Sequence, residues 1–161
     1  MQKLLFRIDG NDSVAKDIFS LRLSADIPVA VHSGQFVDIA LDGFYLRRPI
    51  SVCDCDSEGL TLIYKTVGEG TRQLSRMKVG AGLDVLIGLG HGFSTDECKS
   101  AALLAGGGLG AAPLHLLCKE LLAQGKAVTL ALGFNTANDI VLVEEYRKMG
   151  VTPLLLSLIH I

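Results

Sequence analysis

The chain has 161 residues, 49% hydrophobic and 20% charged, a balance that excludes a disordered tail and allows one domain or two small ones. A net charge of −2 excludes the electrostatic footprint of a nucleic-acid binder. The longest uncharged apolar run, residues 101–117, is broken by Gly106, Gly107, Gly108, Gly110, Pro113 and His115. It falls short of the ~20 residues that cross a bilayer, so no membrane span is expected. Residues 1–9 carry no basic stretch followed by a long apolar core, so no secretory signal is expected either. The four cysteines, Cys53, Cys55, Cys98 and Cys118, form no C-x-x-C pair and read as reduced thiols of a cytoplasmic protein. Cys53 and Cys55, two apart, should share one strand face as small apolar residues.

Up to about Ser94 the pattern is one of short strands, expected over residues 2–8, 17–23, 35–41, 50–54, 60–66 and 84–87. Phe19, Leu21 and Leu23 recur with a period of two, as do Val37, Ile39 and Leu41, which marks half-buried strands. Asn11-Asp12 and Ser57-Glu58-Gly59 read as turns. Six strands at this spacing predict a small antiparallel barrel over residues 1–97.

From Lys99 onward the periodicity changes. Strands are expected over residues 101–105, 127–132 and 151–156, separated by helices over residues 109–123 and 137–149. Alternating strands and helices imply a parallel sheet with crossover helices. Gly125 and Gly150 stand where left-handed helix ends are favoured. The fold class is thus β followed by α/β: a barrel, then a Rossmann-like nucleotide-binding unit over residues 98–161. With three strands that second unit reads as incomplete.

Three segments carry chemistry. In Leu46-Arg47-Arg48-Pro49-Ile50-Ser51, Pro49 holds Arg48 extended, and a guanidinium fork suits a phosphate, although two solvated arginines on an edge loop would read the same way. In Ile63-Tyr64-Lys65 through Gly70-Thr71, a strand runs into a glycine turn and a short helix with Thr71 as the expected N-cap. Such a helix start can bind an anion, and it can equally be a plain hairpin exit. In Ala105-Gly106-Gly107-Gly108-Leu109-Gly110-Ala111-Ala112-Pro113, glycines between a strand and a helix allow backbone to approach a pyrophosphate. Its spacing departs from G-x-G-x-x-G by an alanine at the last glycine, and Pro113 is tolerated in the first helical turn.

At these residues, with Gly34-Gln35-Phe36-Val37 and Val52-Cys53-Asp54, the chain resembles the electron-transfer subunits of dihydroorotate dehydrogenase B, a branch of the ferredoxin reductase superfamily. The segments follow the family's order across residues 3–156. The resemblance implies FAD as cofactor, NAD as substrate and a place in pyrimidine biosynthesis. It implies that Arg48 pairs with the FAD phosphate, that Pro49, Ile50 and Ser51 line the isoalloxazine, and that Ile63, Tyr64 and Lys65 contact the flavin and ribityl chain. Gly70 and Thr71 would hold the pyrophosphate, and Gly107, Gly108 and Gly110 the nicotinamide nucleotide. No catalytic acid or base is implied, since hydride chemistry belongs to the flavin. The implied partner is a dihydroorotate-oxidising FMN subunit in a heterotetramer.

The sequence also departs from the family. Ile50 stands where the superfamily often has an aromatic residue, and His91 where asparagine is expected. The family's 2Fe–2S cluster needs a cysteine segment, and this chain has no C-x₄-C-x₂-C spacing, so no cluster is expected within it. The closing residues 157–161 do not resemble the family's continuation. Two alternatives use the same motifs: a ferredoxin–NADP reductase-like or sulfide dehydrogenase-like flavin subunit, and a non-catalytic flavin-binding module.

Overall fold

The computed structural model describes residues 1–157. Six strands, β1 (Gln2–Ala15), β2 (Ile18–Ser24), β3 (Phe36–Ile39), β4 (Arg48–Asp56), β5 (Gly59–Lys65) and β6 (Gly82–Leu89), close into an antiparallel barrel in the order β1-β2-β5-β4-β3-β6. Alternation drives the closure. Leu21, Leu23, Val37, Ile39, Leu60 and Leu62 all point inward and are fully buried. Helix α1 (Glu69–Ser75) links β5 to β6 and seats Leu74 in the barrel core.

Three further strands, β7 (Ala101–Gly107), β8 (Ala127–Phe134) and β9 (Leu154–Ser157), form a parallel sheet in that order. Helix α2 (Ala111–Ala123) lies between sheet and barrel and belongs to both cores. Leu116 joins the barrel interior, while Leu117, Cys118 and Leu121 pack with Leu130 and Leu132 of β8. Ile18, Cys53 and Ile63, on the outer face of the barrel, complete that second core. Both α2 and α3 (Val143–Lys148) end in Schellman geometry. Gly125 (φ +73°) and Gly150 (φ +84°) donate to Leu122 and Arg147 carbonyls, and the residues after them reach Leu121 and Tyr146.

Several expectations are corrected. Asn11-Asp12 is not a turn: both residues lie inside β1, which continues to Ala15 through two bulges, and the chain reverses instead at Asp17, in the left-handed region at φ +59°. A bulge between Val52 and Asp54 also separates the two neighbouring cysteines, so that they do not share a face. Cys53 enters the core around α2, while Cys55 packs against the barrel interior. The helix expected over 137–149 is broken into a 3-10 turn (Ala137–Asp139) and the six-residue α3. Leu142, at φ +66°, interrupts it between the buried Val141 and Val143. The helix expected from residue 109 begins at Ala111, after a 3-10 turn over Gly108–Gly110. The last strand starts at Leu154, after Pro153, rather than at 151. The closing segment noted above lies, from residue 158, outside the described residues.

Candidate cofactor and nucleotide site

The two adjacent arginines have different roles. Arg47 is structural: its guanidinium bonds the Asp84 carboxylate at 2.8 Å and the carbonyls of Asp38 and Asp84 at 3.2 Å. Lys3, at 2.8 Å, and then Arg47 hold the Asp84 carboxyl below its ordinary range. Arg48 turns the other way, over the Phe44 ring at 4.6 Å, and its Nη1 donates to the carbonyls of Leu46 (2.7 Å) and Arg47 (3.2 Å). Its Nε and Nη2 edge lies along the backbone of Gly70, so close that a Cβ there would fall 2.2 Å from Nε. Two sequence-nominated residues, 22 positions apart, are therefore in contact.

Thr71 is not the N-cap. Helix α1 starts two residues earlier, with Gly68 as N-cap, which puts Thr71 at the third helical position. There its hydroxyl accepts from the amides of Val67 (3.0 Å) and Gly68 (3.2 Å) and donates to the Gly68 carbonyl, fixing the turn from inside.

The remaining nominees separate by face. Pro49 and Ser51 are exposed on β4, whereas Ile50 points into the barrel core and is 8% exposed. Tyr64 is buried, stacked on Phe19, and its hydroxyl donates to Asn11 Oδ1 at 2.9 Å. Burial raises its pKa well above the ordinary tyrosine value. Asn11 in turn donates to the carbonyls of Leu74 (2.8 Å) and Met77 (3.1 Å), tying α1 to the barrel. Sequence reasoning missed Asn11 because it was read as a turn residue. Ile63 packs toward α2, and Lys65 reaches Asp139 at 3.1 Å.

The glycine turn also divides. At Gly106 a Cβ would lie 2.8 Å from a Leu114 methyl and 2.9 Å from the Gly110 carbonyl, so this residue serves strand–helix packing. Gly108, in the left-handed region at φ +53°, and Gly110 face open space, and Gly107 is nearly as open. The turn lies beside β5, which brings it next to the strand carrying Ile63, Tyr64 and Lys65. A cavity of about 700 Å³ opens between barrel and α3, and of the nominated residues only Ile63 lines it. His115 borders it, 4.0 Å from Asp54, with Nδ1 unpartnered; burial pulls its pKa down, partly opposed by Asp54. Burial pushes the Cys53 thiol up to about 12, consistent with an inert packing role.

Together these residues have the chemistry to hold a phosphate-bearing ligand. Among the described residues the Arg48 Nε and Nη2 make no hydrogen bond, Gly70 offers backbone with no side chain in the way, and Ser51 stands exposed further along β4. Among the described residues no three His, Cys, Asp or Glu side chains converge as a metal site, and no helix is long and apolar enough to cross a membrane.

A closed six-stranded barrel joined to a parallel sheet with crossover helices is the architecture of ferredoxin reductase-type proteins. The structure of an NADH-dependent reduced ferredoxin–NADP oxidoreductase matches with a TM-score of 0.84 and 29% identity, over 94% of this chain and 56% of that one. A ferredoxin reductase of carbazole 1,9a-dioxygenase matches at 0.84 with 21% identity, over 99% of this chain and 52% of that one. In sequence the chain is similar to the electron transfer subunit of dihydroorotate dehydrogenase B (NAD(+)). It is 39% identical over 160 residues to that of Bacillus mycoides (strain KBAB4) and 38% identical to that of Bacillus cereus (strain Q1). Each comparison covers 94% of this chain, which spans 62% of the length of these relatives. No family model matches the chain.

Proposed function

We propose that the chain is the flavin- and nucleotide-binding part of an electron-transfer subunit that passes electrons from a dihydroorotate-oxidising partner subunit to NAD, with residues 1–97 gripping FAD and 98–161 receiving the dinucleotide. The observation that carries this reading is the Arg48 guanidinium, backed by Phe44 and laid against Gly70 with two nitrogens free for a phosphate. Ser51 would face the ring system from β4, with Pro49 beside it. Ile50 would contribute backbone only, since its side chain fills the barrel. Tyr64 and Ile63 would set the wall through their burial, Thr71 would hold the turn around Gly70, and Gly107, Gly108 and Gly110 would admit the nicotinamide nucleotide. Flavin supplies the hydride and electron chemistry when bound; the chain's residues supply position and charge.

The end of β8 supports NAD over NADP. Asn135 and Thr136 are exposed and neutral, and the nearest acid, Asp139, adds negative rather than positive charge. The 29% identity to an NADH-dependent reduced ferredoxin–NADP oxidoreductase supports the alternative of a flavin subunit serving another acceptor on the same scaffold. The test is to titrate the purified chain with FAD, then reduce the complex with NADH or NADPH in stopped flow. Flavin uptake with faster reduction by NADH is the expected result. A chain that takes up no FAD refutes the flavin reading, and faster reduction by NADPH refutes the nucleotide assignment.

A further inference from the structure

Resting on that reading, we propose that Asp139 is a positioning residue: through Lys65 it holds the end of β8 against the barrel and sets the width of the crevice where flavin and dinucleotide would meet. Besides the apolar core they share, barrel and sheet are joined by polar contacts at two places among the described residues. On the α2 side the joint is dense. Wholly buried Ser33 gives its amide (3.1 Å) and hydroxyl (2.6 Å) to the Glu120 carboxylate, and Lys119 bonds Asp54 at 2.9 Å. On the far side Lys65 Nζ, at the last residue of β5, spans to Asp139 Oδ1 at 3.1 Å, in the turn that follows β8.

The carboxylate is placed by its own turn rather than by a free side chain. Its Oδ2 accepts from the Thr136 hydroxyl at 2.7 Å, and the Asp139 amide donates to the Thr136 carbonyl at 3.1 Å. Its side chain is 19% exposed, against 39% for Lys65, so the fixed partner is the acid and the lysine is the part it steers. Between the two joints lies the 700 Å³ cavity, with Thr61 and Ile63 on the barrel wall and Ile140 to Val143 opposite. Deeper in, Val141 and Tyr146 pack with Ile18, Cys53 and Ile63 of the barrel, so the ion pair is the polar clasp at the rim of that contact. Lys65, which the family resemblance assigns to the cofactor, thus has a protein partner as well.

The test compares Asp139→Asn, Lys65→Met and the exchanged pair Lys65→Asp/Asp139→Lys with the unmodified chain. Hydrogen exchange of the amides of residues 137–143 is read without cofactor. FAD affinity and the rate of flavin reduction by saturating NADH are then measured. Each single variant should speed exchange about fivefold and slow reduction about fivefold, the size expected from one partly exposed ion pair. Asp139→Asn should keep FAD affinity within about twofold, and the exchanged pair should recover part of the exchange protection. If Asp139→Asn matches the unmodified chain in exchange and reduction, the proposal is wrong. If Lys65→Met loses FAD while Asp139→Asn changes nothing, Lys65 is a cofactor ligand and the pair incidental. An unmodified chain that binds no FAD refutes the function proposed above, while the exchange measurement still judges the ion pair.

Discussion

Replacing Gly70 with alanine tests the Arg48 assignment more sharply than removing the arginine. The new methyl carbon would sit 2.2 Å from Arg48 Nε and 2.8 Å from Cζ and Nη2. Those atoms end a flexible side chain, so the guanidinium swings off Phe44 and the helix stays in place. Gly70 lies within α1 and has no left-handed backbone, so alanine itself is favoured there by roughly 0.5–1 kcal/mol. Gly70→Ala should therefore preserve or raise the urea midpoint while lowering FAD affinity. A displaced charge-assisted phosphate contact is worth about 1.5–3 kcal/mol, or roughly tenfold to 150-fold in Kd. Arg48→Ala should fall in the same range, and the double variant should lose little beyond either single one, because both remove one contact. Fluorescence titration with FAD reads the affinities, and urea unfolding shows that the fold is intact. Full affinity in Gly70→Ala, or losses that simply add in the double variant, would refute a phosphate contact of Arg48 placed by Gly70.

Asn11→Ala removes the partner of the buried Tyr64 hydroxyl and the donor to two carbonyls below α1; it should cost about 1–3 kcal/mol in urea unfolding, and an unchanged midpoint would refute that role. Glu120→Ala strands the Ser33 amide and hydroxyl in a fully buried position, with a similar loss of about 1–3 kcal/mol; Glu120→Gln, which keeps acceptor capacity, should lose less. His115 gives a pH dependence. Burial lowers its pKa from 6.5, so the folded chain binds this proton more weakly than the unfolded one. Its stability contribution is complete above that unfolded value and is lost as pH falls through it toward the folded value, so His115→Gln should flatten the decline in Tm as pH falls below 6.5. Parallel declines in variant and unmodified chain would overturn this.

The barrel was readable from local pattern because its inward residues alternate without interruption through β2 and β3, and a period of two has no other explanation. Where the pattern is interrupted, inference from it failed. The bulges in β1 and β4 each insert a residue whose only signature is a shift in register against another strand. That register depends on partners far along the chain. Hence Asn11 looked like a turn, and Cys53 and Cys55 looked like neighbours on one face. The break at Leu142 is similar: the run 137–149 has ordinary helical composition, and it is tertiary packing of Val141 and Val143 that sets a left-handed residue between them.

The candidate site divides along the same line. Pro49 could identify Arg48 as extended, but nothing local could show that Arg47 is spent on Asp84 while Arg48 keeps two nitrogens free. That difference arises when closure places β6 on one side of the pair and the start of α1 on the other. The glycines behave alike. Gly106, Gly107, Gly108 and Gly110 look alike as sequence, and the seating of Leu114 and of the Gly110 carbonyl separates the one that packs from the three that stay open. Lys65 carries the argument furthest. Its position at the end of β5 is local, but its partner Asp139 is 74 residues away and belongs to the other sheet. A residue type can nominate a ligand contact; which charge it meets first is decided by the packing of two units, and the exchange measurement on Lys65 and Asp139 addresses that level.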